Sequence, residues 1–205
     1  ANGNPRNPLD FGAKLADPRI HERVVAIRNG DLKAGPVVVD LDPTSFCDLA
    51  CPGCISAGVL SNGRFTAERL MELADELKEL EVLGVVLIGG GEPLLHPAIG
   101  ALMIALAKSE IQFGIVTNGT MIHRYVEQLS KLASWTRISW DAGSASGYQR
   151  VRPSKSGGIQ FERVVENTRA LASVAKGVVG VSFMVTTKGS EPQGLSNIDE
   201  IFQAA

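Results

Sequence analysis

Short apolar runs that alternate with longer helical patterns predict an α/β fold built on a parallel sheet. Two observations carry that prediction. Five runs have the length and composition of strands, and helix-periodic segments separate them. A third observation concerns position: the chemically unusual residues stand where those runs end, the rim at which parallel sheets place their chemistry.

Residues 37–41 read as the first strand and lead into a loop that holds all three cysteines of the chain. Thr66 can cap a helix running to Leu80, with Leu70, Leu73, Leu77 and Leu80 on one stripe. Residues 84–88 form the second strand, and Pro97 opens a helix to about Lys108. Residues 111–116 form the third strand, which ends at the turn signal Asn118-Gly119; a helix is expected over 121–133. The fourth strand, 136–140, alternates so that Arg137, Ser139 and Asp141 share one face and Ile138 and Trp140 the other. Residues 161–174 carry a helical pattern with Phe161, Val164, Val165 and Leu171 as candidate core residues. A fifth strand is expected at 178–185 and the start of a last helix at 198–205.

Composition narrows the functional classes. With 205 residues, 44% hydrophobic and 20% charged, the sequence is that of a globular chain long enough to bury a real core. A net charge of −2 gives no electrostatic reason to expect nucleic acid or an anionic membrane as partner. The longest apolar stretches, such as 84–88, are far too short to span a bilayer, and residues 1–18 carry no basic-then-apolar signal segment. Three grouped cysteines without disulfide partners elsewhere point to a reducing, cytoplasmic setting.

Cys47, Cys51 and Cys54 are spaced C-x3-C-x2-C, the pattern of ligands for one metal centre. Three is one short of a closed structural zinc site, so a centre held this way keeps a position for another ligand. The second strand ends in Gly89-Gly90-Gly91-Glu92-Pro93, the third in Thr117-Asn118-Gly119 and the fourth in Ser139-Trp140-Asp141. Each has a plainer reading. The glycines can make a tight turn, Asn118-Gly119 is a common turn pair, and the fourth strand can be a half-solvated edge. Cys51-Pro52-Gly53-Cys54 can also form a dithiol redox pair, which leaves Cys47 without a role. His96, a conceivable fourth zinc ligand, sits at a helix start and reads better as a turn residue.

Taken in chain order, the cysteine triplet after the first strand and Gly90-Gly91-Glu92-Pro93 after the second resemble the cluster loop and GGE motif of radical S-adenosylmethionine (radical SAM) enzymes. The resemblance implies an α/β fold of the partial (βα)6 TIM-like barrel type, truncated before the sixth strand. Residues 1–35 would be an N-terminal extension and 36–205 the radical SAM core domain, with the C-terminal part of the full protein absent. It further implies a [4Fe–4S] cluster on Cys47, Cys51 and Cys54, with S-adenosylmethionine chelating the fourth iron. Gly90, Gly91 and Glu92 would meet the methionine amino group, Asn118 and Ser139 the methionine or ribose portion, and Arg152 the carboxylate. Met184 would border adenine or, as the favoured reading, lie in the core. Where many relatives carry an aromatic residue before the third cysteine this chain has Gly53, so adenine must pack on something else.

The activity so implied is reductive cleavage of S-adenosylmethionine to a 5′-deoxyadenosyl radical, which abstracts a hydrogen atom from a small polar substrate such as a sugar or aminocyclitol. The implied partners are that small molecule and an electron donor such as flavodoxin or ferredoxin, with no nucleic acid and no membrane. Two alternatives stand beside it. One is a peptide-modifying radical SAM enzyme with a further C-terminal auxiliary-cluster domain. The other is a thiol–disulfide redox protein acting through Cys51 and Cys54.

Overall fold

Five parallel strands lie side by side in chain order in the computed structural model, which describes residues 16–31, 33–158 and 160–185. They are β1 (Val38–Leu41), β2 (Gly84–Leu87), β3 (Gln112–Thr117), β4 (Trp135–Ser139) and β5 (Val178–Ser182). The helices are α1 (Pro18–Arg28), α2 (Ala67–Glu79), α3 (Ile99–Lys108), α4 (Val126–Leu132), α5 (Ala145–Val151) and α6 (Phe161–Ala172). Each crossover joins nearest neighbours, and parallel crossovers are right-handed. The helices therefore gather on one face of the sheet, leaving the other to curl around a lumen.

Strand alternation decides which residues face the helices. Val85 and Leu87 of β2, Phe113 and Ile115 of β3 and Ile138 of β4 are at most 1% exposed. They join one core with Leu70 and Leu77 of α2, Leu102 and Leu106 of α3, Leu129 of α4, and Val164 and Leu171 of α6. Each such side chain contributes about 1.5–3 kcal/mol by leaving water. Thr66 caps α2 as its sequence suggests, with Oγ1 accepting from the Arg69 amide at 3.1 Å. The buried stripe of α2 is Leu70, Ala74 and Leu77; Leu80 stands at the C-cap and is exposed.

Several boundaries differ from the sequence pattern, each for a local reason. Residues 122–124 form a 3₁₀ turn and α4 begins only at Val126, because Tyr125 leaves the helical region (φ −131°, ψ 20°) within a run of poor helix formers. Asn167 of α6 is buried although polar: its amide donates to the carbonyls of Gly119 (2.8 Å) and Thr120 (3.2 Å), anchoring the turn after β3. Two helices escape the apolar pattern. The first, α1, is capped by Asp17 with Pro18 in its first turn but buries none of its residues, and α5 is a short Ser- and Gly-containing turn capped by Ser144. Arg23 of α1 reaches the carbonyls of Gly35 (3.2 Å) and Leu80 (3.1 Å). The helix expected at 198–205 lies outside the described residues. Among the described residues no helix is long and apolar enough to cross a membrane.

Candidate functional site

A cavity of about 630 Å³ opens at the C-terminal ends of the strands. Its wall contains every site residue singled out by the sequence: Cys47, Cys51 and Cys54, Gly90, Gly91 and Glu92, Asn118, Ser139 and Arg152.

The cysteine loop after β1 is fastened on two sides. Leu49, 1% exposed, forms an antiparallel bridge with Ser154. Around it the Ala50 amide donates to Pro153 O (2.8 Å) and the Lys155 amide to Asp48 O (2.9 Å). On the other side the Asp48 carboxylate accepts from Asn118 Nδ2 at 2.8 Å and from Thr120 Oγ1 at 2.7 Å. Burial pushes the Cys47 thiol up to about 11, and burial raises the Cys51 thiol as well. Metal binding would have to displace those protons. The thiols line one cavity, and among the described residues no three His, Cys, Asp or Glu side chains converge on a single ion-sized position. A four-iron cube takes each thiolate on a different iron, whereas a zinc ion needs all its ligands within bonding distance of one point. The donor set, three thiols on one cavity wall, fits the cluster.

Glycines after β2 allow a close backbone approach. A Cβ on Gly91 would collide with the carbonyls of Thr44 and Phe46, and one on Gly89 with the Asp42 carboxylate. In that contact the Gly91 amide donates to Thr44 O (3.1 Å) and the Glu92 amide to Phe46 O (2.8 Å). Asp42 Oδ2 receives the Gly90 amide at 2.6 Å. Glu92 is 2% exposed, and its carboxylate accepts from Leu94 N (3.0 Å), Thr117 Oγ1 (2.6 Å) and Asn118 N (2.7 Å). Burial pushes the Glu92 carboxyl up to about 7, against those three donors, which favour its ionised form.

The Asn118 side chain is similarly committed. Its Nδ2 donates to Asp48 and lies 3.9 Å from Cys47 Sγ, while its Oδ1 accepts from Thr120 N at 3.0 Å. Glu92 and Asn118 thus tie the ends of β1, β2 and β3 together through their side chains. The surfaces this turn offers the cavity come largely from backbone.

Arg152, its side chain 16% exposed, pairs with Asp141 through Nε (2.9 Å) and Nη2, and its Nη1 lies 4.0 Å from Cys51 Sγ. Asp141 holds a left-handed backbone (φ 58°), a conformation Asp tolerates better than most residues, and its Oδ1 accepts from Met184 N at 2.7 Å. It thereby joins the ends of β4, α5 and β5. Alternation placed Asp141 on the lumen side, but no local signal announces its pairing with Arg152.

Three further expectations resolve here. Met184 is 55% exposed and lines the cavity, which corrects its favoured core placement; the sheet ends at Ser182, so no helix covers it. His96 is fully buried, with Nε2 2.8 Å from Phe65 O and Nδ1 accepting from Ala98 N at 3.1 Å, so both ring nitrogens serve the turn. A Cβ at Gly53 would meet nothing within 4 Å, so the space an aromatic residue would use there is open.

The thiol loop, the glycine turn and the polar strand ends have their counterpart in a known family. Residues 41–200 match the model of the radical SAM superfamily, and the chain belongs to that superfamily. The family's cofactors are a [4Fe–4S] cluster and S-adenosylmethionine, and its members are enzymes. The chain is 30% identical over 144 residues to a probable GTP 3′,8-cyclase of Archaeoglobus fulgidus, covering 69% of this chain and 47% of that protein. It is 27% identical over 158 residues to the mycofactocin maturase MftC of Mycobacterium tuberculosis, covering 75% and 39%. Streptococcus suis SuiB bound to S-adenosylmethionine shares the fold with a TM-score of 0.67 at 22% identity, over 90% of this chain and 40% of that one. Native anSMEcpe with bound AdoMet gives a TM-score of 0.61 at 22% identity, over 74% and 45%. The chain therefore spans less than half the length of these relatives. Its described strands form the TIM-like partial barrel of that fold.

Proposed function

We propose that this chain is the core of a radical SAM enzyme that modifies a peptide. The observation that carries the radical SAM part is the meeting of three thiols and the Gly-Gly-Glu turn on one cavity wall. The peptide part draws support from relatives: SuiB is known bound to the precursor peptide SuiA, anSMEcpe bound to AdoMet and a peptide, and MftC is a maturase. The sugar or aminocyclitol expected from the sequence has no counterpart among them.

A [4Fe–4S] cluster would be held by the thiolates of Cys47, Cys51 and Cys54 and would supply the one-electron chemistry for reductive cleavage of S-adenosylmethionine and hydrogen-atom abstraction from the substrate. The chain's own residues hold and orient. Cys47, Cys51 and Cys54 supply the thiolates, and burial makes the protons of Cys47 and Cys51 harder to displace than that of a free thiol. The Gly90–Gly91–Glu92 backbone offers peptide groups to the amino end of S-adenosylmethionine, kept in place by Asp42 and by the buried Glu92 carboxylate. Arg152, steadied by Asp141, puts a positive charge beside Cys51 for the carboxylate, and Ser139 offers a hydroxyl at the end of β4. Apolar side chains such as Ile88 and Val116 keep water from part of the wall. The electron would come from a flavodoxin- or ferredoxin-type donor.

A nucleotide substrate is the second reading, favoured by the 30% identity to the GTP cyclase. One experiment tests both. The protein is reconstituted without oxygen and reduced with dithionite beside S-adenosylmethionine, with either perdeuterated peptides or ring- and ribose-deuterated GTP. About four irons per chain and release of 5′-deoxyadenosine are expected, with deuterium entering it from the peptides. Deuterium from GTP alone transfers the reading to nucleotides. A colourless protein that binds only zinc ends it.

A further inference from the structure

All charged side chains on the cavity wall but one are already matched. Glu92 is held by three donors, and Asp141 pairs with Arg152. Arg137 has neither hydrogen bond nor ion pair among the described residues, although it lines the same cavity. Its place is set by the sheet. Alternation turns Arg137 and Ser139 of β4 to the lumen, and the β4–β5 register sets Arg137 opposite Gly180 and Ser139 opposite Ser182. A Cβ on Gly180 would meet nothing within 4 Å, so the floor beside the guanidinium is open. The hydroxyls of Ser139 and Ser182 likewise make no hydrogen bond among the described residues, and both line the cavity.

A planar cation, a neighbouring hydroxyl and an open floor form the donor set that suits a carboxylate or phosphate, which a guanidinium grips through two parallel bonds. Arg137 is itself exposed, so its grip on an anion would rest on paired hydrogen bonds rather than on exclusion of water. We propose that Arg137, with Ser182 two positions beyond Gly180 on the paired strand, binds an oxyanion group of the substrate. This rests on the function proposed above: for a peptide the group is a carboxylate, for a nucleotide a phosphate. The cofactor's own carboxylate has another partner, since Arg152 stands 4.0 Å from Cys51 Sγ.

The test measures charge discrimination. The full chain, both metal-free and reconstituted, is titrated with acetyl-Gly-Glu-Gly-amide against its Gln counterpart and with GTP against guanosine, followed by NMR. S-adenosylmethionine affinity is measured in parallel by calorimetry on the reconstituted protein. The acidic tripeptide is expected to bind about tenfold more tightly than the neutral one. Arg137→Gln should abolish that preference and Arg137→Lys keep part of it, with S-adenosylmethionine affinity held within about twofold. A preference confined to GTP, and lost in Arg137→Gln, supports the site with phosphate as the source. Equal binding within both pairs overturns the proposal, as does a preference that survives Arg137→Gln. So does a tenfold loss of S-adenosylmethionine affinity in that variant, which would give Arg137 to the cofactor. Failure of the wild type to take up a cluster strikes the functional reading alone, because the metal-free titrations still report on Arg137.

Discussion

The two halves of the cavity rim are built differently. Around the ends of β1, β2 and β3 the polar groups are linked to one another: Asp42 to Gly90, Glu92 to Thr117 and Asn118, Asp48 to Asn118 and Thr120. Along β4 and β5 one linkage, Asp141 with Arg152 and the Met184 amide, closes the strand ends, but Arg137, Ser139 and Ser182 on the lumen side leave side-chain donors unused among the described residues. Preorganisation belongs where a cofactor must be held in one geometry, and unused donors belong where a ligand completes them. The linked half is the one that carries the thiols.

Breaking the linked half should cost most. Cys47→Ala should reduce bound iron from about four per chain to near none while the fold, read by circular dichroism, survives; a Cys51–Cys54 dithiol enzyme would instead keep its activity. The next effect is pH-dependent. The Glu92 carboxyl is raised in the folded state, so its contribution is fully present below its ordinary value of 4.5 and is lost as pH rises through about 7. Urea melts of the metal-free protein should therefore lose roughly 3 kcal/mol between those limits relative to Glu92→Gln, which should show a flatter profile. Asp48→Ala leaves the buried Asn118 amide without its carboxylate acceptor, while the Thr120 hydroxyl keeps Asn118 Oδ1 at 2.8 Å, and should destabilise by about 2 kcal/mol, with weaker cluster retention. The glycines give the sharpest contrast at the small end. Gly91→Ala forces backbone apart and should cost about 2 kcal/mol, whereas Gly53→Ala enters open space and should change stability by less than about 0.5 kcal/mol.

Local periodicity made the sheet legible. The apolar runs, the Thr66 cap and the glycine turn announce themselves within a few residues, and strand alternation placed Arg137, Ser139 and Asp141 on the lumen side before any contact was visible. The ties that hold the site were not legible. Asp48 next to a cysteine reads as a solvated acid, and its partners Asn118 and Thr120 lie 70 and 72 residues away. The pairing of Asp141 with Arg152 and the exposure of Met184 depend on where β4 and β5 stop, and strand ends are the least determined part of an apolar pattern. The break at Tyr125 shows the same limit, since weak helix formers yield to the geometry of the turn before them.

The bridge between Leu49 and Ser154 has a consequence for the order of events in folding. Cys51 and Arg152, its nearest cationic neighbour, are 101 residues apart in the chain. Contacts this distant form late, after the strands between them have paired, because their closure entropy is repaid only by a sheet already in place. In a zinc finger the metal folds the chain. Here the apolar core lies on the far side of the sheet from the thiols, so iron is delivered to a vessel already shaped.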